Sequence, residues 1–278
     1  MTVSGAKVGR RRLDEEVVAR GLTPSRSNAR ALIMAGDIAV NGAASLRAGH
    51  AVGPGDDIAL VNKPRFVSRG GEKLNHALES FGINVQDMVA ADLGASTGGF
   101  TDCLIQRGVA RVYTVDVGYG QLDERLRRDP KVVVHERTNA RYLESLPAPI
   151  DIVTIDVSFI SLDLIFPVAA LVLRRGGVCV PLIKPQFEAG RKDVGKGGVV
   201  RDPNVHRRVL EKALESASRH GLEPLGLVAS PLVGPAGNIE FLAHLRLGEG
   251  NPDQSAVVSW ISAALDAKTI AEPAVEST

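Results

Sequence analysis

The sequence predicts an α/β protein in which a small α+β domain precedes a large domain built on a mostly parallel sheet. Strand and helix patterns alternate after residue 68, which is typical of a parallel sheet wrapped by helices. The 278 residues, 44% of them hydrophobic, exceed the roughly 250 residues that one core usually serves. Residues 1–70 hold 11 Lys and Arg against 6 Asp and Glu, whereas acidic residues outnumber basic ones in the remainder. We therefore expect domains at 1–61 and 69–268, a linker at 62–68 and a disordered tail at 269–278.

The front domain begins with two predicted helices. Apolar residues between Leu13 and Val18 recur at helical spacing and stop at Gly21. Either Ser25 or Ser27 caps a second helix, because serine side chains accept hydrogen bonds from the first free backbone N–H groups. A small sheet then follows.

That sheet opens with a hairpin signal and lies among basic residues. Two apolar residues, Ile38 and Val40, precede the turn pair Asn41-Gly42, which favours a two-residue hairpin loop. The order of two helices and a small sheet, with arginines beside the second helix, resembles the RNA-binding domain named after ribosomal protein S4. A solvated basic face without a partner is the alternative. The arginines that we expect to contact RNA phosphates are Arg10, Arg11, Arg12, Arg26, Arg30 and Arg69.

The large domain is predicted to contain seven strands and five helices. The expected strands are 88–93, 111–117, 131–136, 151–157, 177–184, 224–230 and 239–247. The expected helices are 72–81, 99–107, 161–174, 204–220 and 255–267.

A glycine-rich turn follows the first of these strands, where an open α/β sheet binds its cofactor. Its spacing, G-x-x-x-G-G from Gly94, departs from both the dinucleotide fingerprint and the ATP-binding P-loop. Asp116 ends the next strand and is placed to accept both hydroxyls of an adenosine ribose. The combination favours S-adenosylmethionine, although glycine turns also serve close strand-to-helix packing. The expected cofactor residues are Asp92, Gly94, Ala95, Ser96, Thr97, Gly98, Gly99, Phe100, Asp116, Asn139 and Ala140.

Two charged residues end neighbouring strands at the same edge. Asp156 and Lys184 follow apolar strands, and a cation there is costly unless it is paired or faces a cleft. A purely structural ion pair is the alternative. With Lys73 and Glu240 added, the order Lys, Asp, Lys, Glu resembles the catalytic set of 2′-O-ribose methyltransferases.

Longer strings are similar to the TlyA family, historically called haemolysin A. They are SRGGEKL from Ser68, GASTGGFT from Gly94, DVGYGQL from Asp116, ERTNAR from Glu136, DVSFIS from Asp156 and KPQFE from Lys184. The resemblance implies a Rossmann-like methyltransferase domain, S-adenosylmethionine as cofactor, and 2′-O-methylation of cytidine in 16S and 23S rRNA of the 30S and 50S subunits. One difference is the linker, where Pro64-Arg65-Phe66-Val67 replaces the Arg-x-Trp-Val typical of the family.

The chemistry of the transfer suggests a role for each residue, because a ribose 2′-hydroxyl is a poor nucleophile that must lose its proton as the new bond forms. Lys184 is the expected base for the 2′-hydroxyl, with Asp156 steering it and with Lys73 and Glu240 orienting Lys184 and the ribose. Phe159 and Phe187 flank this set and are candidates to stack on the target base, although core packing is expected for at least one of them.

Two rival functions differ in class from the enzyme. One is an RNA-binding protein that keeps S-adenosylmethionine as a structural ligand; the other is a pore-forming haemolysin. The sequence shows no export signal, no apolar span of about 20 residues and no metal-type spacing of its cysteines or histidines. We therefore expect a cytoplasmic, monomeric protein without a metal ion or membrane partner.

Overall fold

The computed structural model describes residues 9–45, 47–61, 65–234, 236–248, 250 and 253–271. They belong to two compact units, residues 1–64 and 65–278. Residues 65–68 of the expected linker are thus part of the large unit. The expected tail starts inside a helix that runs to Ala271, and residues 272–278 lie outside the described part of the chain.

The small unit contains short elements. They are strand β1 (Arg11–Arg12), helix α1 (Leu13–Ala19), helix α2 (Arg26–Ala35), and strands β2 (Ile38–Val40), β3 (Ala43–Ala44), β4 (Ala51–Val52) and β5 (Ile58–Leu60). Ser25, the first of the two candidate caps, accepts a hydrogen bond from the backbone N–H of Asn28 at 3.2 Å. Gly36 ends α2 in the left-handed conformation, with φ of 79°.

The predicted hairpin is present in this unit. Val40 pairs with Ala43 across a two-residue loop, and both loop residues have positive φ, 53° for Asn41 and 80° for Gly42. Such a turn matches the natural twist of the two strands it joins. In the described part of the unit, β3, β2 and β5 form one antiparallel sheet, and β1 pairs with β4.

Helices and strands alternate through the large unit. Its strands are β6 (Val89–Leu93), β7 (Arg111–Val115), β8 (Val132–His135), β9 (Ile150–Ile155), β10 (Leu173–Ile183), β11 (Leu222–Ala229) and β12 (Phe241–Leu247). Its helices are α3 (Gly70–Ser80), α4 (Gly99–Gln106), α5 (Glu124–Arg127), α6 (Phe166–Val172), α7 (Pro185–Glu188), α8 (Pro203–Arg219) and α9 (Gln254–Ala271). Two short 3₁₀ turns lie at Ala140–Tyr142 and Leu162–Leu164.

Within the described residues, the seven strands of this unit form one sheet in the order β11-β12-β10-β9-β6-β7-β8. All neighbours pair in parallel except β12, which is antiparallel to both β10 and β11. The chain starts the sheet at β6, proceeds to β7 and β8 on one side, and then crosses to β9 on the other. The carboxyl ends of β6 and β9 therefore form the switch point where open α/β sheets bind their ligands.

Apolar side chains cover both faces of the sheet. Ala90 contributes to a core cluster with residues of α3 and α4, whereas its neighbour Ala91 contributes to a cluster with α6, α8 and α9. Successive strand residues point to opposite faces, so these two clusters are the two layers of a doubly covered sheet. This architecture confirms the predicted fold class.

The end of the expected linker lies against helix α4. The backbone N–H of Val67 donates to Asp102 Oδ2 at 2.8 Å, and Gln106 Nε2 donates to the carbonyl of Arg65 at 2.9 Å. Phe66, which stands where the family has tryptophan, is 3% exposed and belongs to the core beneath α3 and α4.

The predicted helix at 161–174 is wrong at both ends. The regular helix α6 starts at Phe166, with Pro167 in its first turn, because a proline ring is tolerated there but clashes inside a helix. At the other end Leu173 is extended and pairs with Ile150 of β9, so β10 begins earlier than the predicted 177.

Candidate active site

A cavity of about 540 Å³ opens at the carboxyl edge of the sheet. It is formed by the glycine loop after β6, the start of α3, the segments after β9 and β10, and the segment before β12. Its lining residues are Ser68, Arg69, Gly70, Lys73, Gly94, Ala95, Ser96, Thr97, Gly99, Phe100, Asp156, Ser158, Phe159, Lys184, Gln186, Phe187, Gly197, Gly198, Ala236, Asn238 and Glu240.

The glycine loop needs glycine at two of its positions. Gly94 has a φ of +87°, and a Cβ there would lie 2.7 Å from the backbone oxygen of Asp156. A Cβ on Gly99 would lie 2.2 Å from Ser68 Oγ. The loop is therefore packed against the segments that follow β9 and precede α3, and its backbone lines the cavity directly.

Six of the expected cofactor residues line this cavity, namely Gly94, Ala95, Ser96, Thr97, Gly99 and Phe100. Asp92 instead lies beneath the loop, fully buried, and accepts hydrogen bonds from Thr101 Oγ1 at 2.7 Å and Thr154 Oγ1 at 2.9 Å. Burial raises the pKa of Asp92 to about 7. Gly98 belongs to the same loop but is not among the residues that line the cavity; a Cβ on it would lie 2.3 Å from Leu126 Cδ1.

The other expected cofactor residues lie along neighbouring loops. Asp116 Oδ2 accepts from the backbone N–H of Ser96 at 2.8 Å and its Oδ1 from Gly118 at 2.7 Å. This carboxylate therefore ties the glycine loop to the turn after β7. Asn139 accepts from the N–H of Arg141 at 3.0 Å, while its neighbour Ala140 is buried in the core.

Lys184 is paired at the end of β10. Its Nζ lies 2.7 Å from Asp156 Oδ1 and donates to Ser158 Oγ at 2.9 Å. The Lys184 side chain is 10% exposed, so these two contacts offset the cost of bringing a cation out of an apolar strand.

A second pair faces the same cavity. Lys73, on the first turn of α3, forms a buried ion pair with Glu240, which directly precedes β12. Glu240 is 1% exposed. The four predicted residues, distant in sequence, are thus brought together as two lysine–carboxylate pairs.

Several residues of the cavity were missed from the sequence. Asn238, 2% exposed, accepts from the N–H of Val200 at 2.9 Å and donates to the carbonyl of Gly198 at 2.8 Å. It thereby fixes a glycine-rich segment at the cavity. Ser158 and Gln186 lie in the sequence segments that are similar to the family. Each is two residues from a predicted catalytic residue, Asp156 or Lys184, and this closeness could have identified them.

One acceptor in the cavity wall has no protein partner. Gln186 Oε1 is buried and forms no hydrogen bond with any side chain or backbone group that the structure describes. Buried polar atoms normally find a partner. This orphan acceptor therefore fits a cavity whose polar lining is completed by a bound ligand.

The two phenylalanines near the site form a pair. Their ring centroids lie 4.9 Å apart. Phe159 is 89% exposed and has a φ of 65°, which is unusual for a bulky residue and typical of functional loops. Phe187 is half-buried, and its ring lies 5.7 Å from Lys184 Nζ.

The expected RNA-contacting arginines belong to two groups. Arg69 lies at the start of α3 and lines the cavity. Of the others, Arg10 and Arg11 are exposed, and the remaining three contact one buried carboxylate of the small unit, as described below. No group of three or more His, Cys, Asp or Glu in the described residues is arranged to hold a metal ion, and no helix among them is long and apolar enough to cross a bilayer.

Comparison with known proteins agrees with this architecture. The chain matches the model of the FtsJ-like methyltransferase family over residues 66–247 and that of the S4 domain over residues 11–58. It is 47% identical to YqxC of Bacillus subtilis, a protein provisionally named as an rRNA methyltransferase, with 87% of this chain and 88% of the relative covered. It is 45% identical to the 16S/23S rRNA (cytidine-2′-O)-methyltransferase TlyA of Mycobacterium tuberculosis, with 85% and 90% covered.

A solved structure from Streptococcus thermophilus, provisionally described as a hemolysin, is similar throughout. Its TM-score is 0.75 at 40% sequence identity, with 95% of this chain and 100% of that chain covered. The family match spans the sheet, the glycine loop and both lysine–carboxylate pairs. The chain therefore belongs to the FtsJ-like methyltransferase family and carries an S4 domain in front of its catalytic unit.

Proposed function

We propose that the protein transfers the methyl group of S-adenosylmethionine to the 2′-hydroxyl of a cytidine in the ribosomal RNA of the 30S or 50S subunit, or of both. This function rests on one observation above all. Two lysine–carboxylate pairs line the same cavity as the glycine loop. The names of the M. tuberculosis and B. subtilis relatives support ribosomal RNA as the substrate.

The residues around the glycine loop suit S-adenosylmethionine. Residues 94–97 and 99–100 offer backbone and small side chains to the cavity, and Gln186 Oε1 is a free acceptor for a hydrogen-bond donor of a ligand. When bound, S-adenosylmethionine supplies an electrophilic methyl group on a sulfonium.

In this proposal, Lys184 takes the proton of the attacking hydroxyl. A ribose 2′-hydroxyl is a weak nucleophile near neutral pH, so proton removal must accompany formation of the oxygen–carbon bond. The Lys184 ammonium must first lose a proton to act as a base. The resulting neutral amine has two N–H donors and one lone pair, and Asp156 and Ser158 match the two donors. The lone pair of Nζ is then left for the hydroxyl proton.

The second pair and the exposed aromatic ring position the substrate. The ion pair between Lys73 and Glu240 lines the same cavity as Lys184, and we assign to it the restriction of the ribose. Alignment of the hydroxyl with the methyl group lowers the barrier by several kcal/mol. Phe159 offers an exposed face to a base that has left its stack.

The S4 domain binds the RNA substrate. Its arginines suit phosphate contacts, which fix orientation rather than sequence. The protein would then act as a monomer in the cytoplasm, where ribosomal subunits are modified.

Substitution of Lys184 tests the chemistry. Lys184→Ala should lower kcat for methyl transfer to unmodified subunits by about 10²–10⁴-fold, the range of general base catalysis. The affinity for S-adenosylmethionine, measured by calorimetry, should change by less than about threefold, because Lys184 contacts the carboxylate and hydroxyl beside it rather than the loop. Lys212→Ala, on the exposed face of α8, is the matched control.

Unchanged transfer by Lys184→Ala would show that Lys184 is not the base. Absence of transfer by the wild-type chain, with S-adenosylmethionine still bound, would instead favour an RNA-binding protein that holds the cofactor as a structural ligand.

A further inference from the structure

An acidic side chain lies at the centre of the most basic part of the small unit. Asp14 is 0% exposed. Among the described residues, three guanidinium groups contact its carboxylate. Arg12 donates from Nε at 3.0 Å and from Nη2 at 3.2 Å, Arg26 from Nη2 at 3.2 Å, and Arg30 from Nε at 2.9 Å.

These contacts join three elements. Arg12 belongs to β1, Asp14 to the first turn of α1, and the other two arginines to α2. Arg26 and Arg30 are four residues apart, so both lie on the same face of that helix. One carboxylate thus holds arginines from two separate elements on a common surface.

The arginines remain available to a ligand. Their side chains are 47%, 47% and 53% exposed for Arg12, Arg26 and Arg30. A guanidinium has five N–H donors, and the contacts with Asp14, together with that of Arg26 to Glu15, use only one or two on each. Each of these half-exposed guanidiniums thus keeps three or four N–H donors beyond these contacts, and such planar groups recognise phosphate oxygens well.

The carboxylate offsets the repulsion inside this cluster. Three guanidiniums so close together repel one another, and Asp14 screens that repulsion while leaving the group net positive. Hydrogen bonding from Arg12 holds the pKa of Asp14 well below its usual range, so the carboxylate stays ionised at neutral pH. Without it, long arginine side chains would lose their common direction and regain rotamer entropy.

We propose that Asp14 is a positioning residue for RNA binding, which orients Arg12, Arg26 and Arg30 toward RNA phosphates although its own charge repels RNA. This role deepens the function proposed above and rests on it. The proposed role predicts that removal of the Asp14 charge weakens RNA binding. Net charge alone would predict the opposite, namely tighter binding when an acidic residue is removed.

The test is equilibrium binding of the full chain to unmodified 16S and 23S rRNA transcripts over a range of salt concentrations. Asp14→Asn should weaken binding about tenfold and reduce the slope of log affinity against log salt by about one or more, as phosphate contacts are lost. Its affinity for S-adenosylmethionine and its kcat on saturating subunits should stay within about twofold, while KM for the subunits rises. Asp57→Asn removes the same charge from an exposed site and should leave RNA binding unchanged or slightly tighter.

A double-mutant cycle distinguishes positioning from a general loss of stability. Arg30→Ala should cost about tenfold in the wild-type background and much less beside Asp14→Asn, because the arginine is no longer oriented there. If Asp14→Asn does not fold, Arg30→Lys gives the answer alone. Lysine keeps the charge but lacks the planar guanidinium with its paired N–H donors. The Arg30→Lys variant should therefore bind RNA as poorly as Arg30→Ala. Arg20→Lys, which changes an arginine outside the cluster, should keep wild-type affinity.

Equal or tighter RNA binding by Asp14→Asn, additive effects in the cycle, or wild-type affinity of Arg30→Lys would each overturn the role of Asp14. In those cases the wild-type chain still binds rRNA and the proposed function stands. Failure of the wild-type chain to bind either transcript would overturn both.

Discussion

At the scale of residues, the central feature is that both buried cations of the cavity are matched by carboxylates. A buried ion pair contributes little net stability, but breaking one leaves an uncompensated charge in a poorly solvated place. The two pairs therefore serve the geometry of the cavity more than they serve the stability of the fold.

Glu240→Gln tests this cost. The Lys73 ammonium would keep its buried position without a charged partner, so we expect a loss of about 3 kcal/mol in the free energy of unfolding and a strong loss of methyl transfer. Urea unfolding followed by the fluorescence of Trp260, the single tryptophan, reports on the large unit. Glu211→Gln on the exposed face of α8 is the control, and equal stability of the two variants would refute the assigned pairing.

Asp92 gives a prediction for pH. Its folded-state pKa of about 7 lies above the ordinary value of about 3.9, so the folded state prefers the protonated acid. The stability that this group contributes is fully present below about pH 4 and is lost as the pH rises to about 7, with a slope of at most about 1.4 kcal/mol per pH unit. Asp92→Asn should therefore gain stability relative to the wild type between those values, and parallel stability curves would show that Asp92 has an ordinary pKa.

At the scale of elements, the strand ends and the glycine loop were predictable because their signals are local. Apolar runs define the strands. Gly94, Gly98 and Gly99, which follow β6, mark a turn where the backbone must come close to another segment. Ser158, Gln186 and Asn238 were harder to predict. Ser158 and Asn238 lie outside the helices and strands, and Gln186 lies in the four-residue helix α7, which is too short to show a period. Only the pairing of β9, β10 and β12 brings the three residues to one cavity. The start of α6 was missed because the apolar pattern continues through the turn before Pro167.

Gly94→Ala tests the loop. The new methyl group would meet the backbone of Asp156, and the residue would also be strained by its positive φ. We expect affinity for S-adenosylmethionine to fall more than tenfold. Gly120→Ala has a similar φ of +67° but nothing within 4 Å of the added carbon, so it should cost only about 1–2 kcal/mol in stability. Calorimetric titration of both variants with S-adenosylmethionine separates the steric clash of the new methyl group from backbone strain. Comparable losses of affinity in the two variants would count against the loop as the cofactor-binding site.

At the scale of the whole molecule, the sequence predicted two units, their order and their classes, because each has its own periodic pattern and charge. The division between the two compact units, after residue 64, falls inside the predicted linker at 62–68, but the sequence did not show that the second half of this linker packs on the large unit. Phe66 and the residues around it were assigned to the linker, yet they pack on α3 and α4 in the large unit. Four residues carry no helical or strand period of their own, so only the tertiary contacts reveal which unit they join.

The most direct measurement of the central claim is the chemical identity of the product. Purified 30S and 50S subunits that lack the modification would be incubated with labelled S-adenosylmethionine and the wild-type chain, and the labelled nucleoside would be identified after complete digestion. Reverse-transcription stops at low nucleotide concentration would then locate it. We predict 2′-O-methylcytidine at a single position in each particle that is a substrate. Label on a base atom, or on a ribose other than that of cytidine, would contradict the proposed function.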